Sequence, residues 1–192
     1  MTALIGVCDY GVGNLRSVER ALTAAGARVA VTASAGVLAE TDGLVLPGVG
    51  AFGTAADSLE DHGLSRVILD YAGSGRPLLG ICLGFQLLFQ ASEESGGRGG
   101  LGLLEGTVTR LGEAAGKVPH MGWNQLRQTR RSPLTAGIAD GTHVYFVHSY
   151  AARAATPDIM ATCDYGGSIA AICAHDNVMG TQFHPEKSGH DG

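Results

Sequence analysis

Pro77-Leu78-Leu79-Gly80-Ile81-Cys82-Leu83-Gly84-Phe85-Gln86 changes character at its centre. Residues 77–81 are a short apolar run of the kind that makes a buried parallel strand, and Leu83 to Ala91 has helical composition and spacing, so Cys82 stands at a strand-to-helix junction. Glycines at 80 and 84 leave room for a sharp turn, the arrangement of a nucleophile elbow with Cys in place of Ser. A helix starting after Cys82 points its free N–H groups and positive dipole end at the sulfur, which favours a thiolate. The N–H of Leu83 then faces the oxygen of any carbonyl that the sulfur attacks.

A base for this nucleophile comes from His184-Pro185-Glu186, near the other end of the chain. Along a strand ending there, residues two apart project to one side, so Glu186 lies beside His184 and fixes the tautomer of its ring. Cys8, Cys163 and Cys173 have no such surroundings and read as small core residues. His62, His143, His175 and His190 read as surface or turn histidines.

Outward from Cys82, the first half alternates apolar strands with helical segments: Leu4 to Cys8, Arg28 to Val31, Gly43 to Leu46 and Leu78 to Ile81 as strands, Asn14 to Ala25 and Leu64 to Ala72 as helices. Asn14 is placed to cap the first helix and Gly26 to stop it. From Gly106 onward the pattern is β-type, in Thr107 to Leu111, His143 to Val147, Ile159 to Asp164, Ile169 to Ala174 and Val178 to Phe183, with Asp176-Asn177 as a hairpin turn. The expected fold is α/β: an open, mostly parallel sheet with helices on both faces, elaborated by antiparallel strands in the C-terminal half. Residues 1–192 read as one domain, and Gly96 to Gly100 as a surface loop within it.

Such sheets place their sites beyond the carboxyl ends of the strands. Asp9 to Asn14, Pro47 to Gly53 and Cys82 all fall there. Pro47-Gly48-Val49-Gly50-Ala51-Phe52-Gly53 could cradle a phosphate, but it lacks the P-loop lysine and fits a dinucleotide fingerprint only in part. Beside a thiolate it serves better as a source of a second oxyanion donor.

The 192 residues are 45% hydrophobic with a net charge of −5 and no basic run, which argues against nucleic acid as the main partner. The N-terminus lacks a signal-peptide pattern and no stretch reaches membrane-spanning length, so a cytoplasmic protein is expected. Four cysteines at irregular spacing suggest reduced thiols rather than a disulfide frame or a zinc site, and no metal or cofactor is called for.

The Gly-x-Cys-x-Gly-x-Gln elbow with a later His-Pro-Glu resembles the class I, triad-type glutamine amidotransferases. Asp9 to Leu15, Pro47 to Gly53, Lys117 to Asn124, Tyr145 to Tyr150 and His184 to Ser188 narrow the resemblance to the glutaminase subunits of imidazole glycerol phosphate synthase, from about residue 4 to residue 188. Related glutaminases serve anthranilate, GMP, carbamoyl phosphate and pyridoxal phosphate synthesis, but Lys117 to Asn124 resembles only the histidine-pathway subunit.

The resemblance implies that Cys82 attacks the glutamine amide, that Val49, Gly50 and Leu83 supply oxyanion donors, and that His184, oriented by Glu186, transfers the protons. Gln86, Glu94, Ser149 and Tyr150 would hold the amino-acid end of the substrate. The implied partner is a (β/α)8-barrel cyclase that consumes the ammonia, with Asn14, Trp123, Tyr145 and Lys187 at its interface or the tunnel mouth. Ordinary core packing is the alternative for Trp123 and Tyr145.

Family members usually continue into another helix after this point, whereas here Lys187-Ser188 is followed only by Gly189-His190-Asp191-Gly192. Three or four missing apolar side chains at roughly 1.5–3 kcal/mol each would remove much of a domain's net stability. The alternative function is accordingly a truncated, poorly folded or non-catalytic copy that acts only as a binding subunit.

Overall fold

The computed structural model describes residues 2–192. In chain order the elements are β1 (Leu4–Cys8), α1 (Leu15–Ala24), β2 (Arg28–Thr32), α2 (Ala35–Ala39), β3 (Gly43–Leu46), α3 (Phe52–Asp61), α4 (Leu64–Gly73), β4 (Leu78–Ile81) and α5 (Leu83–Leu87). There follow β5 (Phe89–Ser92), β6 (Leu104–Arg110), β7 (His120–Gln125), β8 (Arg127–Gln128), β9 (His143–His148), β10 (Tyr150–Ala154), β11 (Ile159–Asp164), β12 (Ser168–His175) and β13 (Val178–Thr181).

Eight strands form the main sheet in the order β2-β1-β3-β4-β13-β12-β11-β8. The run from β2 to β13 is parallel, and β12, β11 and β8 extend it antiparallel. Because alternate residues of a strand face opposite sides, both faces of the parallel part must be apolar to be covered. Val7, Val45 and Ile81 face α1 through Val18, whereas Leu44, Leu46 and Leu78 pack with Leu38 of α2, Phe52 and Leu59 of α3 and Ile68 of α4. Each of these fully buried side chains contributes roughly 1.5–3 kcal/mol. Beside α1 the covering is incomplete, and an apolar trough of about 260 Å³ runs along Leu22, Leu79, Ile81 and Phe183.

The remaining strands form two small sheets, β10-β6-β5 and β7-β9. β1, β3, β4 and β11 have the expected limits, and Asp176-Asn177 does turn β12 into β13, with Asp176 at φ +50°. The helix after Cys82 is shorter than its composition suggests. It ends at Leu87 because the amides of Leu101, Leu103 and Leu104 take the carbonyls of Leu87 and Leu88, and the chain enters β5. Helix α3 begins inside the stretch read as a glycine loop: Phe52, Ala55, Ala56 and Leu59 bury one face at helical spacing. α2, β5, β7, β8 and β10 were not expected. No helix among the described residues is long and apolar enough to cross a membrane.

Candidate active site

Two features of the backbone build the elbow. Cys82 sits at φ +54°, ψ −106°, a strained conformation for a residue with a side chain, held because its neighbours leave no alternative. A Cβ at Gly84 would collide with the Leu46 carbonyl, and one at Gly80 would lie 2.7 Å from the Phe85 backbone. Only glycine lets the turn pack this tightly against β3 and α5.

The parallel pairing of β4 with β13 then brings His184 toward the elbow. Ile81 is in register with Thr181, and the Cys82 amide donates to the Thr181 carbonyl at 2.8 Å, so the elbow stands beside Gln182 and near His184. His184 Nδ1 lies 2.8 Å from Glu186 Oε1, with both side chains 2% exposed. They do not meet by strand alternation as expected. β13 ends at Thr181, and Pro185–Lys187 is a single 3-10 turn that folds Glu186 back under the ring. Ser188 secures this turn: its hydroxyl donates to the His184 carbonyl at 2.6 Å and accepts from the Tyr145 amide at 3.0 Å.

His184 Nε2 is buried without a hydrogen-bond partner in the protein. Burial opposes a charge on the ring, but the polarity of Cys82 and then of Glu186 outweighs it and carries His184 up to about 9. A proton is thus held on His184 at neutral pH, next to the sulfur.

A cavity of about 300 Å³ opens on Cys82. Val49, Gly50, Leu83, Gln86, Glu94, Ser149 and Tyr150, all expected site residues, line it, joined by Pro119, Val147 and His148, which sequence reasoning passed over. Both N–H groups of the Gln86 amide are engaged, by the Tyr150 carbonyl at 2.9 Å and by Gln182 Oε1 at 3.0 Å, so its oxygen is left to receive a donor. Glu94 Oε2 accepts from the Phe52 amide at 2.9 Å, capping α3 in place of Ala51, whose side chain cannot. This bond ties a carboxylate of the cavity wall to the glycine loop. In the loop itself the Leu83 amide donates to the Gly48 carbonyl at 3.4 Å, and the Tyr10 hydroxyl donates to the Pro47 carbonyl at 2.6 Å. Leu83 is therefore occupied by the protein rather than open as an oxyanion donor.

Trp123, Tyr145, Lys187 and Asn14 lie outside the cavity. Trp123 is 56% and Met121 62% exposed, which excludes core packing for Trp123; its ring meets Tyr145 edge-on, 6.1 Å between centroids. Tyr145 is half-buried, bonded through its backbone to His184 and Ser188, and Lys187 is exposed on the same turn. Asn14 precedes α1 at the cap position, but its side chain makes no capping bond.

The glutamine amidotransferase class-I profile matches residues 6–192, from β1 through the whole site. The chain belongs to this family. It is 48% identical to the imidazole glycerol phosphate synthase subunit HisH of Bacillus cytotoxicus, over 98% of this chain and 90% of that protein. It is 50% identical to the subunit of the same name from Desulfitobacterium hafniense, over 96% and 88%. In fold, this class-I amidotransferase superposes on a crystal structure of a glutamine amidotransferase with a TM-score of 0.76 at 22% identity, over 95% of this chain and 90% of that one.

Proposed function

We propose that the chain is the glutaminase subunit of an imidazole glycerol phosphate synthase, hydrolysing L-glutamine and passing ammonia to a (β/α)8-barrel cyclase in histidine biosynthesis in the cytoplasm. The observation that carries the chemistry is the register of β4 with β13, which brings an elbow cysteine to a histidine paired with Glu186 at 2.8 Å. The relatives carry the assignment of the pathway.

Cys82 Sγ, its proton held on His184, forms a bond to the glutamine Cδ. The resulting oxyanion is met by the amides of Val49, Gly50 and Leu83 once the Leu83 amide leaves the Gly48 carbonyl. Collapse breaks the C–N bond as His184 protonates the departing amide nitrogen, giving ammonia and a γ-glutamyl thioester. His184 then takes a proton from water, whose oxygen attacks the thioester; cleavage of the C–S bond releases glutamate and restores the cysteine. Glu186 keeps the ring oriented throughout. The substrate's ammonium meets Glu94 and the free oxygen of Gln86, with the backbone at Ser149 and Tyr150 closing that end.

Ammonia set free in water is protonated and lost as a nucleophile, so the product needs a docked acceptor. The exposed Met121 and Trp123, together with Tyr145, Lys187 and Asn14, supply the docking face and tunnel mouth. Interfaces concentrate such aromatic and Met side chains.

The deciding experiment is glutamate release by the purified chain with and without its cyclase and ribotide ligand. Turnover that rises in the loaded complex is expected. A folded complex that never releases glutamate would identify a non-catalytic binding subunit. In that complex Cys82→Ser removes glutamine-dependent synthesis and leaves ammonia-dependent synthesis by the cyclase intact; loss of both would make Cys82 structural.

A further inference from the structure

A directional chain of hydrogen bonds links the two-stranded sheet β7–β9 to the cavity. His148 Nδ1 lies 2.8 Å from the Tyr150 carbonyl, which can only accept, so Nδ1 carries the proton and Nε2 must accept. The neighbour of Nε2, His120 Nδ1 at 3.0 Å, is therefore a donor. His120 Nε2 is left as an acceptor and faces Asn124 Nδ2 at 3.2 Å, an amide nitrogen that also donates to the Asp164 carbonyl at 2.9 Å. Every member is satisfied with both rings neutral and in the same tautomer. A proton added at His148 Nε2 would confront the His120 N–H and break the chain.

The surroundings enforce that state. His120 and His148 are 2% and 6% exposed, and His120 is stacked between Tyr165 at 3.9 Å and Phe146 at 4.6 Å. Burial pushes both rings down to about 4. The ionisable groups facing the pair are Tyr165 on His120, and His184, Cys82 and Glu94 around the cavity that His148 lines.

The chain does not stop at Tyr150. Its carbonyl also accepts from Gln86 Nε2, the other Gln86 N–H goes to Gln182 Oε1, and Gln182 Nε2 points at Cys82 Sγ from 3.9 Å. At the opposite end, His120 and Asn124 lie on the inward side of β7 while Met121 and Trp123 lie on its exposed side. A shift of β7 therefore bears on the Tyr150 peptide and the Gln86 amide without any contact between the outer face and the nucleophile.

We propose that His120 and His148 are positioning residues which, as a tautomer-locked pair, hold the Tyr150 carbonyl and the Gln86 amide in the arrangement that receives glutamine, and so couple the exposed face of β7 to the cavity. The inference rests on the glutaminase reading for its substrate, whereas the ring states can be tested without it.

The test compares glutamine kinetics of His120→Phe and His120→Asn in the loaded cyclase complex. Phe keeps the stack and removes both ring nitrogens; Asn places an amide N–H where Nδ1 was. The expected result is a rise in KM of about tenfold for the Phe variant, the size of one lost hydrogen bond, with kcat within about threefold, and recovery to within about threefold of the wild-type KM for the Asn variant. Unchanged KM in both variants, or loss of kcat in both in step with thermal stability, reduces the pair to packing. Long-range 1H–15N correlation spectra of the unmodified chain decide independently of folding in the variants. Both rings should be neutral with the proton on Nδ1 at pH 7, and an Nε2–H tautomer or a charged ring there overturns the proposal. Absence of glutamate release by the wild-type complex would instead strike the glutaminase reading and leave the spectra to judge the pair.

Discussion

His184, beside Cys82, and the pair of His120 with the cavity-lining His148 are almost equally buried, yet His184 rises to about 9 while the pair falls to about 4. Burial works against the charged ring in all three. The difference is the partner: His184 faces Cys82 and a carboxylate 2.8 Å away, whereas His148 and His120 face each other, a carbonyl and an amide. Enclosure thus raises the stakes of protonation, and the nearest polar groups decide its direction. The same degree of burial leaves one ring charged and two neutral at pH 7.

The sharpest way to break this contrast is to remove the carboxylate. Glu186→Gln leaves the ring buried but without its counter-charge, and kcat for glutamine hydrolysis should fall roughly 10²- to 10⁴-fold while the Cys82 cavity persists. Near wild-type kcat would show that His184 needs no orienting anion.

A second, smaller effect separates the two sites by pH. His184, raised above its unfolded value of about 6.5, stabilises the fold fully below that pH and loses the contribution as pH climbs through about 9. For His120 and His148, depressed to about 4, the stabilisation is present above pH 6.5 and lost as pH falls toward 4. Thermal unfolding across pH should therefore show two limbs. The alkaline one should flatten in His184→Asn and the acid one should weaken in His120→Phe; limbs unmoved by these changes would assign them to other groups.

The smallest effect concerns the support of the His184 turn. Ser188→Ala removes two hydrogen bonds to a buried hydroxyl and leaves the Tyr145 amide without its side-chain acceptor, at a cost of about 1–3 kcal/mol. For a chain of this length that lowers Tm by roughly 2–12 °C, measurable by calorimetry. No change in Tm would mean that water replaces the hydroxyl at no cost.

Much of this arrangement is readable from the residues alone. The apolar runs at Leu4–Cys8, Gly43–Leu46 and Leu78–Ile81 coincide with β1, β3 and β4, because strands buried on both faces must be continuously apolar. The glycines around Cys82 announce a close approach of backbone to backbone. Helix α3 carried its own signal in Phe52, Ala55, Ala56 and Leu59, hidden behind the glycines that precede it. β7 was not readable as a strand: His120 to Gln125 interleaves Gly122 and polar residues whose burial depends on pairing with β9. Likewise Gln182 and His148 look like ordinary polar residues of a strand end, and nothing local reports that one lies between Gln86 and Cys82 and the other against Tyr150.

Residue chemistry and local spacing were enough to single out Cys82, His184 and Glu186 as the candidates for nucleophile, base and orienter, since each proposed role depends on a functional group and its immediate backbone. Tertiary structure alone decided that β13 pairs parallel to β4 with Thr181 opposite Ile81, that Glu186 returns through a 3-10 turn, and that Glu94 caps α3. It also decided in which direction His120, His148 and His184 are shifted. Protonation of a buried ring follows from the polar groups packed beside it: Glu186 turns back to 2.8 Å from His184, and His120, 28 positions away in the chain, lies 3.0 Å from His148.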